Sequence, residues 1–97
     1  MLLKNKTALI TGGGRGIGRA IAIAFANACA RVAVAARTLE QVNRVAEEIG
    51  GASRTNALAL VCDVSDRASV EKMFEDVNAG FKGDVDILVN NAGIAES

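Results

Sequence analysis

Lys6-Thr7-Ala8-Leu9-Ile10-Thr11-Gly12-Gly13-Gly14-Arg15-Gly16-Ile17-Gly18 is the stretch that decides the fold. Ala8, Leu9 and Ile10 form an apolar run of strand length. Gly12 to Gly14 break it, because glycine reaches backbone angles that other residues avoid. From Gly16 onward the pattern turns helical, with Ile17, Ala20, Ile21, Ala24 and Phe25 at spacings of three and four. A helix start carries N–H groups without partners and a partial positive charge, so it receives a phosphate where nothing bulky blocks the approach. In this reading Gly12 permits the sharp turn, Gly16 the close approach of a pyrophosphate, and Gly18 the packing of helix on strand. A plain strand-to-helix turn rich in glycine is the alternative, and the rest of the chain weighs against it.

The same alternation continues outward from this stretch. The first helix is expected to reach about Ala28. Arg31-Val-Ala-Val-Ala-Ala-Arg37 follows as a strand apolar on both faces, as a central parallel strand is. Thr38 with Gln41 forms a capping-box pattern, and Leu39, Val42, Val45, Ala46 and Ile49 make the stripe of a second helix that Gly50-Gly51 should stop. Ala52 to Asn56 reads as a polar loop and Ala57 to Cys62 as a third strand. Ser65 or Asp66 caps a third helix with Val70, Met73, Phe74 and Val77 on one side, and Gly80 and Gly83 are its expected end. Val85 to Asn90 is the fourth strand, followed by Asn91-Ala92-Gly93.

The order β-α-β-α-β-α-β implies an α/β doubly wound parallel sheet of the Rossmann type, with right-handed crossovers and strand order 3-2-1-4. Ligands of such sheets bind beyond the carboxyl ends of the strands. Those ends are Thr11-Gly12, Ala36-Arg37, Cys62-Asp63 and Asn90-Asn91, and every polar feature that reads as functional falls at one of them. Cys29 strains the pattern, because a helix stop often needs a left-handed residue and is then usually glycine. A cysteine there would cost on the order of 1 kcal/mol; Asn27 is the alternative stop.

Composition bounds the partners. Eleven basic and eleven acidic residues cancel over 97 residues, so no basic field points to nucleic acid. With no histidine and only Cys29 and Cys62, a structural metal site is not expected. No apolar run approaches membrane-spanning length, and the start Met1-Leu-Leu-Lys-Asn-Lys does not read as a signal peptide. Reduced thiols in a cytoplasm are the expectation.

Arg37 stands about 20 residues beyond the glycine turn, where a dinucleotide-binding fold places the residue that selects the ribose. An Asp or Glu there would accept the 2′-hydroxyl of NAD. Ala36 and Arg37 are neutral and cationic, and a guanidinium pairs bidentately with phosphate, so NADP (NADPH) is favoured, with Arg15 approaching the same group. The plain alternative for Arg37 is a solvated residue leading into a helix. Asp63 reads either as a turn former before Ser65 or as acceptor for the adenine amino group. Asn90 and Asn91 either tie loops to the backbone or, for Asn90, line the ribose. The lysine and hydroxyl of a P-loop are missing after Gly18, where Arg19 and Ala20 stand.

These residues carry a resemblance. Thr11-Gly12-x-x-x-Gly16-Ile17-Gly18, Asp63-Val64 and Asn90-Asn91-Ala92-Gly93 resemble the glycine turn, the adenine-contacting Asp and the N-N-A-G motif of the short-chain dehydrogenase/reductase family, N-terminal portion. Within it the chain is most similar to 3-oxoacyl-(acyl-carrier-protein) reductases and carbonyl reductases. The resemblance implies an NADP(H)-dependent oxidoreductase that reduces a small-molecule carbonyl, a 3-oxoacyl thioester or ketone, to an alcohol. It implies cofactor binding by Gly12, Gly13, Gly14, Arg15, Gly16, Ile17, Gly18, Arg37, Asp63, Val64, Asn90, Ala92 and Gly93. The family's catalytic Ser, Tyr, Lys and relay Asn lie downstream of N-N-A-G, and these 97 residues contain no tyrosine. Residues 1–97 are therefore expected to be the NADP(H)-binding half-domain of a longer enzyme, inactive alone and self-associating, where it does, through later segments. A stand-alone nucleotide-binding or sensing module without catalysis is the alternative.

Overall fold

The computed structural model describes residues 2–12, 14–53 and 57–91. Seven elements follow in order: β1 (Thr7–Thr11), α1 (Gly16–Asn27), β2 (Arg31–Ala36), α2 (Leu39–Ser53), β3 (Ala57–Val61), α3 (Arg67–Phe81) and β4 (Ile87–Asn90). The four strands form one parallel sheet in the order β3-β2-β1-β4, as the alternation implies. Register sets Thr11 opposite Ala35 and Asn90, and Ala36 opposite Val61. The strand ends therefore lie side by side.

Side-chain alternation divides the core in two. Ala8, Ile10, Val32 and Val34 face one way and pack with Ala22 and Ala26 of α1 and Val42, Val45 and Ile49 of α2. Leu9, Ala33 and Ala35 face the other way and pack with Met73, Val77 and Phe81 of α3. All five residues of β1 are buried, because a central parallel strand is covered on both faces.

Several local expectations change. The buried ridge of α1 is Gly18, Ala22 and Ala26 rather than the stripe through Ile17 and Ala24. Ile17 is 58% exposed, and Ile21 and Phe25 flank the contact. The helix lies so close to the sheet that only small residues fit at its centre. On α3, Phe81 completes the buried row with Met73 and Val77, and Phe74 faces outward.

Three glycines expected to stop helices do not. α2 continues through Gly50 to Ser53, so part of the expected polar loop at 52–56 is helical and the remainder lies outside the described residues. Gly80 lies inside α3, where an added Cβ would stand 2.5 Å from Leu58 Cδ1; it allows α3 to approach β3. The stop of α3 is Lys82, in the left-handed conformation at φ 56°. Cys29 takes the same role for α1 at φ 74°. Its N–H donates to the Ala26 carbonyl at 2.9 Å and the Ala30 N–H to that of Phe25 at 3.1 Å, the pair of bonds that closes a Schellman end. Asn27 remains the last helical residue.

Asp66, rather than Ser65, caps α3, its carboxylate accepting from the Ala68 N–H at 3.1 Å. β4 is shorter than its apolar run. Asp86 precedes it and pairs with Thr7 through both its backbone N–H, donated to the Thr7 carbonyl at 2.9 Å, and its carboxylate, which accepts from the Thr7 N–H at 2.8 Å.

Candidate dinucleotide site

The turn after β1 opens with Gly12 at φ 68°, and Gly16 at the start of α1 sits at φ 58°. Both are left-handed, so both positions favour glycine on backbone grounds alone. Gly16 thus carries a conformational demand in addition to the close approach inferred from its place in the motif. The Gly12 N–H donates to the Ala35 carbonyl at 2.7 Å, extending the ladder into the turn. Arg15 is the N-cap of α1 in extended conformation, with no side-chain cap and no acidic residue in the first turn. Neither a capping side chain at Arg15 nor a first-turn carboxylate offsets the partial positive charge of the helix start.

Gly18 is the tightest point of this turn. A Cβ there would stand 2.1 Å from the Gly12 carbonyl oxygen and 2.7 Å from Asn91 Nδ2. Asn91 is itself buried, 3% exposed, and donates from Nδ2 to that same Gly12 carbonyl at 3.2 Å. Its backbone N–H donates to the Thr11 hydroxyl at 3.1 Å. The Thr11 Oγ1 lies 3.3 Å from the Val89 carbonyl and 3.2 Å from Asn90 Oδ1. The ends of β1 and β4 are therefore tied together directly beneath the glycine turn.

A cleft of about 470 Å³ opens at these strand ends. It is lined by Gly12, Gly14 and Arg15 of the turn, Ala35, Ala36 and Arg37 at the end of β2, Thr38 and Gln41 at the start of α2, Cys62 and Val64 after β3, and Asn91. Of the residues expected from sequence, Gly12, Gly14, Arg15, Arg37 and Val64 meet in this lining. Gly16 and Gly18 shape the turn behind it, Ile17 faces outward, and Asn90 is engaged with Thr11. Gly13, Ala92 and Gly93 lie outside the described residues. Asn91, Thr38, Gln41, Ala35 and Cys62 join the lining without having been singled out as binding residues. Gln41 is there because it rests against Gly14, whose added Cβ would stand 2.7 Å from Gln41 Cβ. Cys62 and Asn91 stand at strand ends, where the rule places ligands, and Ala35 stands one residue before another.

Asp63 lies between Cys62 and Val64, both of which line the cleft. Its Oδ1 accepts from the Ser65 hydroxyl at 2.7 Å and the Ser65 N–H at 3.0 Å, and its own N–H donates to the Ser69 hydroxyl at 3.0 Å. The turn-forming role is real. The same Oδ1 lies 3.6 Å from Arg37 Nη2. The Ser65 hydroxyl foremost, then the Ser65 amide, with help from Arg37, holds the Asp63 carboxyl below its ordinary range. It is a charged acceptor at neutral pH.

Among the described residues no cluster of His, Cys, Asp or Glu is placed to hold a metal ion, and no helix is long and apolar enough to cross a membrane.

A glycine turn opening a helix at the carboxyl end of a central strand in a parallel sheet of order 3-2-1-4, with a cleft across the strand ends, defines a dinucleotide-binding type of α/β fold. The sequence matches the short chain dehydrogenase family over residues 6–97, and the chain belongs to that family. It is 42% identical over 94 residues to a short chain dehydrogenase/reductase of Macrophomina phaseolina, covering 97% of this chain and 53% of that one. It superposes with a TM-score of 0.90 and 35% identity on L-sorbose reductase from Gluconobacter frateurii, whose structure holds NADPH and L-sorbose, over 99% of this chain and 36% of that one. With 3-ketoacyl-(acyl-carrier-protein) reductase from Brucella melitensis, whose structure holds NADH, the TM-score is 0.79 and identity 41%, over 88% and 33% of the two chains. The chain thus spans about half the length, or less, of these relatives.

Proposed function

We propose that these residues are the dinucleotide-binding portion of an NADP(H)-dependent oxidoreductase that interconverts a small-molecule carbonyl and alcohol. The observation that carries the cofactor preference is the cation at the tip of β2. Arg37 lines the cleft where an acidic residue would favour the 2′-hydroxyl of NAD, and it lies in one lining with Arg15. A guanidinium matches a 2′-phosphate bidentately.

The site fits such a ligand on its own geometry. The left-handed Gly12 and Gly16 and the uncapped start of α1 suit a pyrophosphate. Ala35, Ala36 and Val64 supply apolar walls, and the Asp63 carboxylate, between the lining residues Cys62 and Val64, is the charged acceptor assigned to an adenine amino group on this reading. When bound, the nicotinamide supplies hydride transfer to or from the carbonyl carbon. The residues of this chain bind and orient; on this reading proton transfer and substrate recognition belong to parts of the enzyme beyond them.

Titration of the purified protein with NADPH and with NADH, by calorimetry, tests the proposal. NADPH should bind at least about tenfold more tightly, the order of one charge-assisted bidentate contact. Tighter binding of NADH, or binding of neither, overturns it.

A further inference from the structure

We propose that Asp63 is a positioning residue for Arg37, holding its guanidinium over the cleft so that it reads the 2′-phosphate; this rests on the NADP(H) reading of the site.

The two residues end neighbouring strands. β2 and β3 are parallel, with Ala36 opposite Val61, so the segments that follow them emerge side by side. Arg37 is the flexible partner, its side chain 76% exposed, and its link to Asp63 is the ion pair at 3.6 Å. Asp63 is the fixed partner. Its backbone is tied to Ser69 of α3, and its carboxylate is held by both the amide and the hydroxyl of Ser65. An anchored carboxylate beside a mobile cation restricts the cation, not the reverse. One guanidinium nitrogen faces Asp63, and the remaining donors of the fork stay available for a phosphate. The ordering that a long side chain would otherwise undergo on binding is partly done in advance.

The opposite sign is conceivable on charge alone, because a carboxylate near the phosphate repels it. The two cases separate cleanly. Adenine is common to NADPH and NADH, so any direct contact of Asp63 with the base cancels in the ratio of the two dissociation constants. Only an effect that passes through the 2′-phosphate survives.

The experiment measures that ratio for the full chain, for Asp63→Asn, for Arg37→Ala and for the double variant, at one fixed ionic strength. Asparagine keeps an oxygen that accepts from Ser65, so the turn is retained and only the charge is removed; thermal melts followed by circular dichroism check this. Asp63→Asn should lower the preference for NADPH by about two- to fivefold, the range that an exposed ion pair supports. In the Arg37→Ala background the same change should leave the ratio where it is. An unchanged or raised preference in the Asp63→Asn protein, or an equal fall with and without Arg37, overturns the proposal. An unsubstituted chain that shows no preference for NADPH overturns the site reading itself, and this is seen before any variant is made.

Discussion

The Cβ that Gly18 lacks would stand 2.1 Å from the carbonyl oxygen of Gly12. Residues six apart in sequence are thereby pressed together so that α1 leaves the sheet at the angle the turn requires. No flexible side chain can move aside, because the obstacle is backbone held in place by Asn91 Nδ2.

Gly18→Ala is accordingly expected to destabilise the fold by about 3 kcal/mol, the upper end of overpacking costs, and to weaken dinucleotide binding with it. Gly50→Ala is the control. Nothing lies within 4 Å of its added Cβ, and alanine in a helix interior gains about 0.5–1 kcal/mol. Urea unfolding of both variants distinguishes them. Equal effects would contradict the close approach.

Cys29→Gly should stabilise the protein. A left-handed residue other than glycine costs about 1–2 kcal/mol, against about 0.5–1 kcal/mol of extra chain entropy that glycine loses on folding. The difference favours glycine by up to about 1.5 kcal/mol. Cys29→Ala keeps the strain and should show no such gain. The urea midpoint reads both.

Arg37→Asp should reverse the cofactor preference. It removes the cation that faces a 2′-phosphate and supplies an acceptor for a 2′-hydroxyl. NADPH affinity is expected to fall by about a hundredfold or more, two charge-assisted contacts at tenfold each, with NADH affinity held or raised. Unchanged affinity for both would exclude Arg37 from the site.

The acid limb of stability should depend on Glu48 and Asp63. The Arg19 guanidinium bonds both oxygens of Glu48 across α1 and α2, and this hydrogen bonding holds the Glu48 carboxyl below its ordinary value of 4.5. Bonds from Ser65 hold Asp63 below 3.8. A carboxyl lowered in the folded state stabilises above its unfolded value, and that contribution disappears as pH falls through the folded value. Stability should therefore decline from about pH 4.5 downward, and less steeply in Glu48→Gln and Asp63→Asn. Both groups are exposed, so added salt should shrink the difference. Identical acid limbs in variants and parent would rule these pairs out.

Much of this was legible in the chain itself. The apolar runs 8–10, 32–36 and 57–61 read as strands, and the glycines that open the first turn read as a break in the chain; both match the structure. Caps were harder. Glycine in sequence suggests a stop at 50 and 80, yet α2 runs on through Gly50 and Gly80 is a contact point. The left-handed positions are filled by Cys29 and Lys82. A glycine in sequence signals freedom, and whether that freedom serves backbone angle or close approach depends on what lies opposite. The buried face of α1 is likewise set by what lies opposite it. Periodicity marks the large apolar residues, whereas contact with the sheet selects the small ones at 18, 22 and 26.

The sequence by itself determined the element order, the parallel sheet with its strand order, and the glycine turn with a cation beyond the second strand. These follow from patterns over a few residues, where local sterics and burial dominate. Tertiary structure alone decided that Asn91 locks the Gly12 carbonyl, that Gln41 rests on Gly14, and that Asp63 meets Arg37. Each of these joins residues far apart in the chain, and a side chain's partner across that distance is set by strand register and helix approach, which no local pattern encodes.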